Sequence, residues 1–245
     1  MTESETTPHG YSMAAKRRER KMISRPPGPS GVQLGEESGR ALILQGAAAV
    51  FALRGARAAS VEDILKASGV SRRTFYRFYQ SKEDVMVALY QLGTEILVAG
   101  CRLAMKKETD PVQQILQGIE VHLRNAREAG RLVFVLGGEA HRQESPLHAR
   151  RMEVHAQLAD LFAAGAARDG KHADPLLYRA LVLAMEGVTR LVLEEGDEGR
   201  NVSEASIDRA RQVMALLATS ALLGEAPGDA ALPTSNRSRR PPAQA

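Results

Sequence analysis

The sequence predicts an all-α fold of about nine helices: a small N-terminal three-helix bundle containing a helix-turn-helix, then a larger C-terminal helical domain. Three observations carry this. Aromatic residues make up only 4% of the chain, and its apolar residues are mostly Ala and Leu, which favour helix. Good N-cap residues precede nearly every apolar segment. No segment alternates polar and apolar residues between hairpin turns, as a half-buried strand would.

Residues 1–37 hold four prolines and the run KRRERK at Lys16–Lys21 without apolar periodicity. They are expected to form a disordered basic arm. A first helix is expected over 39–54, closed by Gly55. Ser60-Val61-Glu62-Asp63 has the form of a capping box and starts a helix over 61–68. Gly69-Val70 then makes a short turn, and Ser71 caps a helix over 71–78. Ser81-Lys82-Glu83-Asp84 is a second capping box, opening 82–105. Asp110-Pro111, Ser145-Pro146 and Asp174-Pro175 each set an N-cap before a proline at N1, where its missing N–H costs nothing. They start helices over 111–129, 146–167 and 175–195. Gly130 is read as a helix end, with a further helix over 131–143. A last helix over 203–223 ends at Gly224. Residues 225–245 have the composition of a second disordered tail.

Charge divides the chain. Ser38 to Tyr90 contains eight basic and four acidic residues, whereas Gln91 to Gly224 contains sixteen basic and eighteen acidic. A basic module meets a polyanion, and a mildly acidic one does something else. The longest apolar stretch, Leu42–Leu53, is too short to span a membrane. The first twenty residues carry no apolar signal region, so a cytoplasmic location without a membrane partner is expected. Cys101 is the only cysteine, which excludes an intrachain disulfide and a cysteine-based zinc cage.

Four of the ten aromatic residues fall within Phe75–Tyr79. At 100° per residue Arg72, Arg73, Tyr76 and Arg77 share one face, Phe75, Phe78 and Tyr79 lie roughly opposite, and Thr74 sits on the border. The aromatic stripe can anchor a helix too short to persist alone. The cationic face is left outward, where arginine can fork onto guanine O6/N7 while Tyr and Thr bond phosphates. Two short helices joined through Gly69, with 39–54 as a third, make a DNA-binding helix-turn-helix.

The stretch from Ala48-Ala49-Val50-Phe51 through Arg54-Gly55, Ser60-Val61, Ile64-Leu65-Lys66-Ala67, Ser68-Gly69-Val70-Ser71, Thr74-Phe75-Tyr76 and Ser81-Lys82-Glu83 resembles the N-terminal domain of TetR-type (TetR/AcrR family) transcriptional regulators. The likeness covers roughly residues 40–86. It implies that Ser60 starts the second helix near a phosphate and that Arg72, Arg73 and Thr74 sit where bases or nearby backbone are read. Tyr76 and Lys82 would each bond a phosphate. The candidate DNA-contacting set is Ser60, Ser71, Arg72, Arg73, Thr74, Tyr76, Arg77 and Lys82. The chain departs from the family pattern at Arg73, where many members have a small residue, and at Ala56, where an aromatic is usual.

The resemblance further implies a DNA-binding domain over 38–83 and a ligand-binding and dimerisation domain over 84–224, with the last two helices forming a homodimer. Leu181, Met185, Val188, Val192, Met214, Leu217 and Ala221, at three and four spacing, are the interface candidates. Phe134, His141, Met152, His155, Phe162 and Met185 are candidates for lining a small-molecule cavity. His141, His148 and His155 recur every seven residues near Glu139 and Glu144. Ser145-Pro146 breaks any shared face, and seven residues is about 10 Å along a helix, so no metal and no cofactor are expected.

The function expected is a sequence-specific DNA-binding regulator, most simply a repressor released from a palindromic operator by a small molecule. The rival is a helix-turn-helix protein without an effector, architectural or controlled by a protein partner. No nucleophile elbow, P-loop or HExxH motif points to an enzyme.

Overall fold

The computed structural model describes residues 36–167 and 174–223 and is all-helical over them. Residues 1–35 of the expected arm, the run KRRERK, Gly224 and the tail 225–245 lie outside the described residues. Eight helices follow in order: α1 (Glu36–Arg54), α2 (Val61–Ser68), α3 (Arg72–Phe78), α4 (Lys82–Met105), α5 (Pro111–Ala140), α6 (Leu147–Ala167), α7 (Pro175–Glu195) and α8 (Glu204–Leu223).

The punctuation works as its chemistry requires. Ser60 and Ser81 each accept from the N–H of the third helical residue, and Asp63 and Asp84 return a bond to the cap backbone. Gly69 closes α2 at φ +68 and Gly55 follows α1 at φ +80, left-handed values that glycine adopts without cost. Asp110 and Asp174 cap α5 and α7 ahead of their prolines.

One expectation fails. The segments 111–129 and 131–143 are a single 30-residue helix, α5, running through Gly130. Gly130 is a point of close approach instead of a cap. A Cβ on it would stand 2.4 Å from the Gly199 carbonyl oxygen, in the turn between α7 and α8. Contact with another backbone, not helix termination, explains this glycine.

Two apolar cores form. Phe51, Ile64 and Phe75, all fully buried, centre the first, which unites α1–α3 with Val85, Met86 and Leu89 of α4. It also takes in Leu136 and Ala140 of α5 and Leu147 of α6, so the three-helix bundle rests directly on the body. The second core packs α4 to α8 around Ile115, Ile119, Phe162 and Met214. α4 feeds both, with Val98, Cys101 and Met105 in the second. By length and composition α4 could cross a membrane; here its apolar residues build the two cores and the wall of a cavity between them.

Candidate DNA-binding face and ligand cavity

Ser71 fixes the start of α3. Its Oγ accepts from the Thr74 N–H at 3.0 Å and lies 2.8 Å from Thr74 Oγ1. Phe75 is wholly buried, Tyr79 nearly so, and the Phe75 ring meets Tyr76 edge-on at 5.3 Å. Arg40 of α1 lies 5.6 Å from the Phe78 ring centroid and Arg77 4.7 Å from it. The anchored helix presents Arg72, Arg73, Tyr76 and Arg77 to solvent, with Thr74 half-buried. Arg72 pairs with the exposed Glu62 of α2. Such a surface pair holds weakly. Among the described residues Arg73 has no ion-pair partner, so its five donors stay available.

Lys82 departs from its expected place. Its ammonium donates to the carbonyls of Ala56, Arg57 and Ala59 at 3.1, 2.9 and 2.8 Å. All three donors are used, so Lys82 welds the loop after α1 to the start of α4 and is not free for a phosphate. Lys82→Met should therefore cost about 1–3 kcal/mol through the orphaned carbonyls, read by denaturant melts, and leave the salt dependence of DNA binding unchanged.

Between α4, α5, α6 and α7 lies a cavity of about 320 Å³. Cys101, Gly118, Leu158, Phe162 and Val182 make its apolar end, while Leu89, Tyr90, Leu136 and Gly137 lie beside the DNA-binding bundle. Of the predicted lining residues, Phe134, His141, His155, Phe162 and Met185 are present. Met152 is not: it is 49% exposed on the outer face of α6.

Within this apolar wall stands a polar group that sequence reasoning missed. Glu186 of α7 accepts from Arg151 Nε at 2.8 Å and also from Arg151 Nη2. His155 Nε2 lies 3.3 Å and His141 Nε2 3.5 Å from Glu186 Oε2. Burial works to raise the Glu186 pKa, but the bonds from Arg151 and His155 outweigh it and hold the carboxyl down at about 2. Burial, reinforced by Glu186, pushes the Tyr90 phenol up to about 12. His122 of α5 bonds Thr189 of α7 at 2.7 Å, and burial lowers its pKa to about 4, so it is neutral at neutral pH. Burial also pushes the Cys101 thiol up to about 12, which leaves it unreactive. Two of the seven-spaced histidines thus converge on one carboxylate, across helices and not along one. Among the described residues no group of three His, Cys, Asp or Glu could hold a metal.

The expected interface residues are mostly interior. Leu181, Met185, Val192 and Met214 are buried within the chain, and Val188 packs against its core. Leu217 is 40% exposed and Ala221 half-buried. The outward apolar residues of α7 and α8 are Leu176, Leu183, Leu191, Val213 and Leu216, together with the expected Leu217.

Residues 43–89 match the family model described as bacterial regulatory proteins, tetR family. The chain is 31% identical over 121 residues to the HTH-type transcriptional activator FasR of Mycolicibacterium smegmatis, a match covering 47% of this chain and 55% of the relative. The chain thus spans about half the length of that curated relative. The fatty acid degradation regulator FadR of Bacillus halodurans superposes with a TM-score of 0.60 at 22% identity, covering 71% of this chain and 97% of that one. FadR of Bacillus subtilis, solved in complex with stearoyl-CoA, gives 0.63 at 17% identity, covering 73% and 97%. At these identities the two structures establish a shared fold.

Proposed function

We infer, from the premise that the chain belongs to the tetR family of bacterial regulatory proteins, that it is a DNA-binding transcriptional regulator controlled by a long-chain acyl effector. The cavity carries this reading: it is mostly apolar and is walled by the same helices on which the DNA-binding bundle rests. Its volume lies near the lower end of the roughly 300–1,000 Å³ range of small-molecule sites. The acyl class is suggested by that wall and by the stearoyl-CoA bound to the relative from B. subtilis.

The regulator acts as a homodimer, paired through Leu176, Leu183 and Leu191 of α7 and Val213, Leu216 and Leu217 of α8. Unpartnered apolar residues on two adjacent helices favour burial against a second copy. Each subunit then offers one α3 to the major groove of a palindromic operator, with a spacing near 34–36 Å or a multiple. Ser60 and Tyr76 contact phosphates, and Arg72, Arg73, Thr74 and Arg77 lie toward the base edges. An effector that binds better to a conformer with another spacing lowers operator affinity by its differential free energy between the two states. That release is the same physical event whether bound protein blocks transcription or, as the name of the M. smegmatis relative says of that protein, activates it.

Two measurements test the reading. Arg73→Ala should relax base preference on a panel of operator variants by about 1–3 kcal/mol of discrimination, whereas equal weakening on every sequence would remove Arg73 from base contact. Gly137 lines the cavity, and a Cβ added there meets nothing within 4 Å. Gly137→Phe should therefore keep the fold but fill the space, weakening palmitoyl-CoA by about tenfold or more in titration calorimetry. Failure of the unmodified chain to bind any acyl-CoA would refute the effector class.

A further inference from the structure

The middle of α5 carries Arg131, a residue outside both the exposed face of α3 and the cavity lining. Arg131 is 17% exposed and reaches three parts of the molecule. Its Nε donates to the carbonyl of Ala52, in the last turn of α1, at 3.2 Å. Its Nη1 donates to the carbonyl of Glu198 at 3.4 Å and pairs with the Glu198 carboxylate, in the turn between α7 and α8. Its Cζ lies 5.6 Å from the ring centroid of Phe134, which lines the cavity.

Each contact has a physical reason to be firm. The last carbonyls of a helix lack intrahelical donors and favour a cation, so Arg131 suits the end of α1. The α7–α8 turn is unusual: Asp197 and Glu198 both have φ +54, and Gly199 has φ +85. Two non-glycine residues held left-handed in succession persist only where surroundings enforce them. The Gly199 N–H bonds the Leu193 carbonyl at 2.7 Å, and Gly199 abuts the Gly130 backbone so closely that neither can carry a side chain. α5 and the turn therefore have no slack at this level. Phe134 is held between Arg131 and Arg190, whose Cζ is 5.4 Å from its centroid.

We propose that Arg131 is a positioning residue that couples occupancy of the cavity to the placement of the DNA-binding bundle, by holding the cavity wall at Phe134, the end of α1 and the α7–α8 turn in one joint. This rests on the effector reading above. A ligand against Phe134 displaces the ring, the guanidinium stacked on it shifts, and the end of α1 follows through Ala52. Because the same guanidinium holds the turn between the proposed dimer helices, the shift is taken up relative to the partner and changes the spacing of the two α3 helices.

The test uses the full chain, a two-fold site selected from random duplexes, and palmitoyl-CoA as the probe. Arg131→Met should bind bare operator and palmitoyl-CoA each within about threefold of the unmodified chain, while saturating palmitoyl-CoA shifts its operator Kd by no more than about twofold. Glu198→Ala, at an exposed position, should shrink the shift part of the way. An undiminished shift in Arg131→Met overturns the proposal. If the unmodified chain does not bind palmitoyl-CoA, it is the effector reading that fails, and hydrogen exchange without ligand then judges the joint. Faster exchange in both 51–57 and 196–201 of Arg131→Met supports it, and unchanged exchange in either overturns it. Should Arg131→Met not fold, Arg131→Lys, which keeps the charge but loses the planar fork and its face on the Phe134 ring, replaces it with the same outcomes.

Discussion

Phe75→Ala should abolish operator binding and lower stability by about 3–5 kcal/mol, the range for deleting a large aromatic from a closed core. Phe75 is fully buried in the centre of the DNA-binding bundle with Phe51 and Ile64. α3 has seven residues, far below the length at which a helix persists by itself. Its order thus depends on this anchor, and losing the anchor disperses the cationic face. Tyr76→Ala is the contrast. Tyr76 is 42% exposed, so its loss should cost under about 1 kcal/mol of stability yet weaken operator binding. Denaturant melts and fluorescence anisotropy on the two variants separate the roles. Equal effects of both on stability would contradict the division of α3 into an anchoring and a reading face.

The second large effect concerns Glu186. Glu186→Gln should destabilise by about 3 kcal/mol, the lower end for breaking a buried pair, since it leaves the Arg151 guanidinium in the interior uncompensated. Arg151 is 8% exposed, whereas the Glu186 side chain keeps 24% of its surface. Replacing both partners, as in Arg151→Met with Glu186→Leu, should recover most of the loss, to within about 1 kcal/mol of the unmodified chain. The pH dependence has a definite sign. The folded pKa is depressed from 4.5 to about 2, so this stabilisation is complete above the unfolded value. It is lost as pH falls from about 4.5 towards 2. In Glu186→Gln that part of the acid slope should disappear, and an unchanged acid limb in urea melts would contradict the assignment.

The DNA-binding bundle was almost wholly legible in the sequence because its determinants are local. Ser60, Ser71 and Ser81 cap within three residues of themselves, and the aromatic stripe of α3 is a property of one short helix. What escaped depends on residues far apart. Gly130 resembles a helix end until Gly199 is brought against it, 69 positions away. Glu186 is a lone acid in the run LVLAMEGV, a visible oddity whose meaning comes from Arg151 and His155 on another helix. Lys82 has the chemistry of a phosphate ligand, and only the loop folded against it shows its donors taken. Most of the interface candidates lie inside the chain for a geometric reason. Apolar spacing by three and four identifies the face a helix buries, and in α7 and α8 that face is turned inward. The outward residues, Leu176, Leu183 and Leu191 among them, are set apart by the missing cover and not by their pattern.

The proposed regulator reads a two-fold DNA site as a dimer and releases it when the cavity fills. Selection of bound duplexes from a random pool, followed by titration of the winner with and without palmitoyl-CoA at two salt concentrations, tests it most directly. A palindromic consensus is expected, with affinity that falls steeply with salt as phosphate contacts require and a Kd raised by about five- to 150-fold at saturating palmitoyl-CoA. A pool no more ordered after selection than before, or a palindromic site whose affinity palmitoyl-CoA leaves untouched, would contradict it.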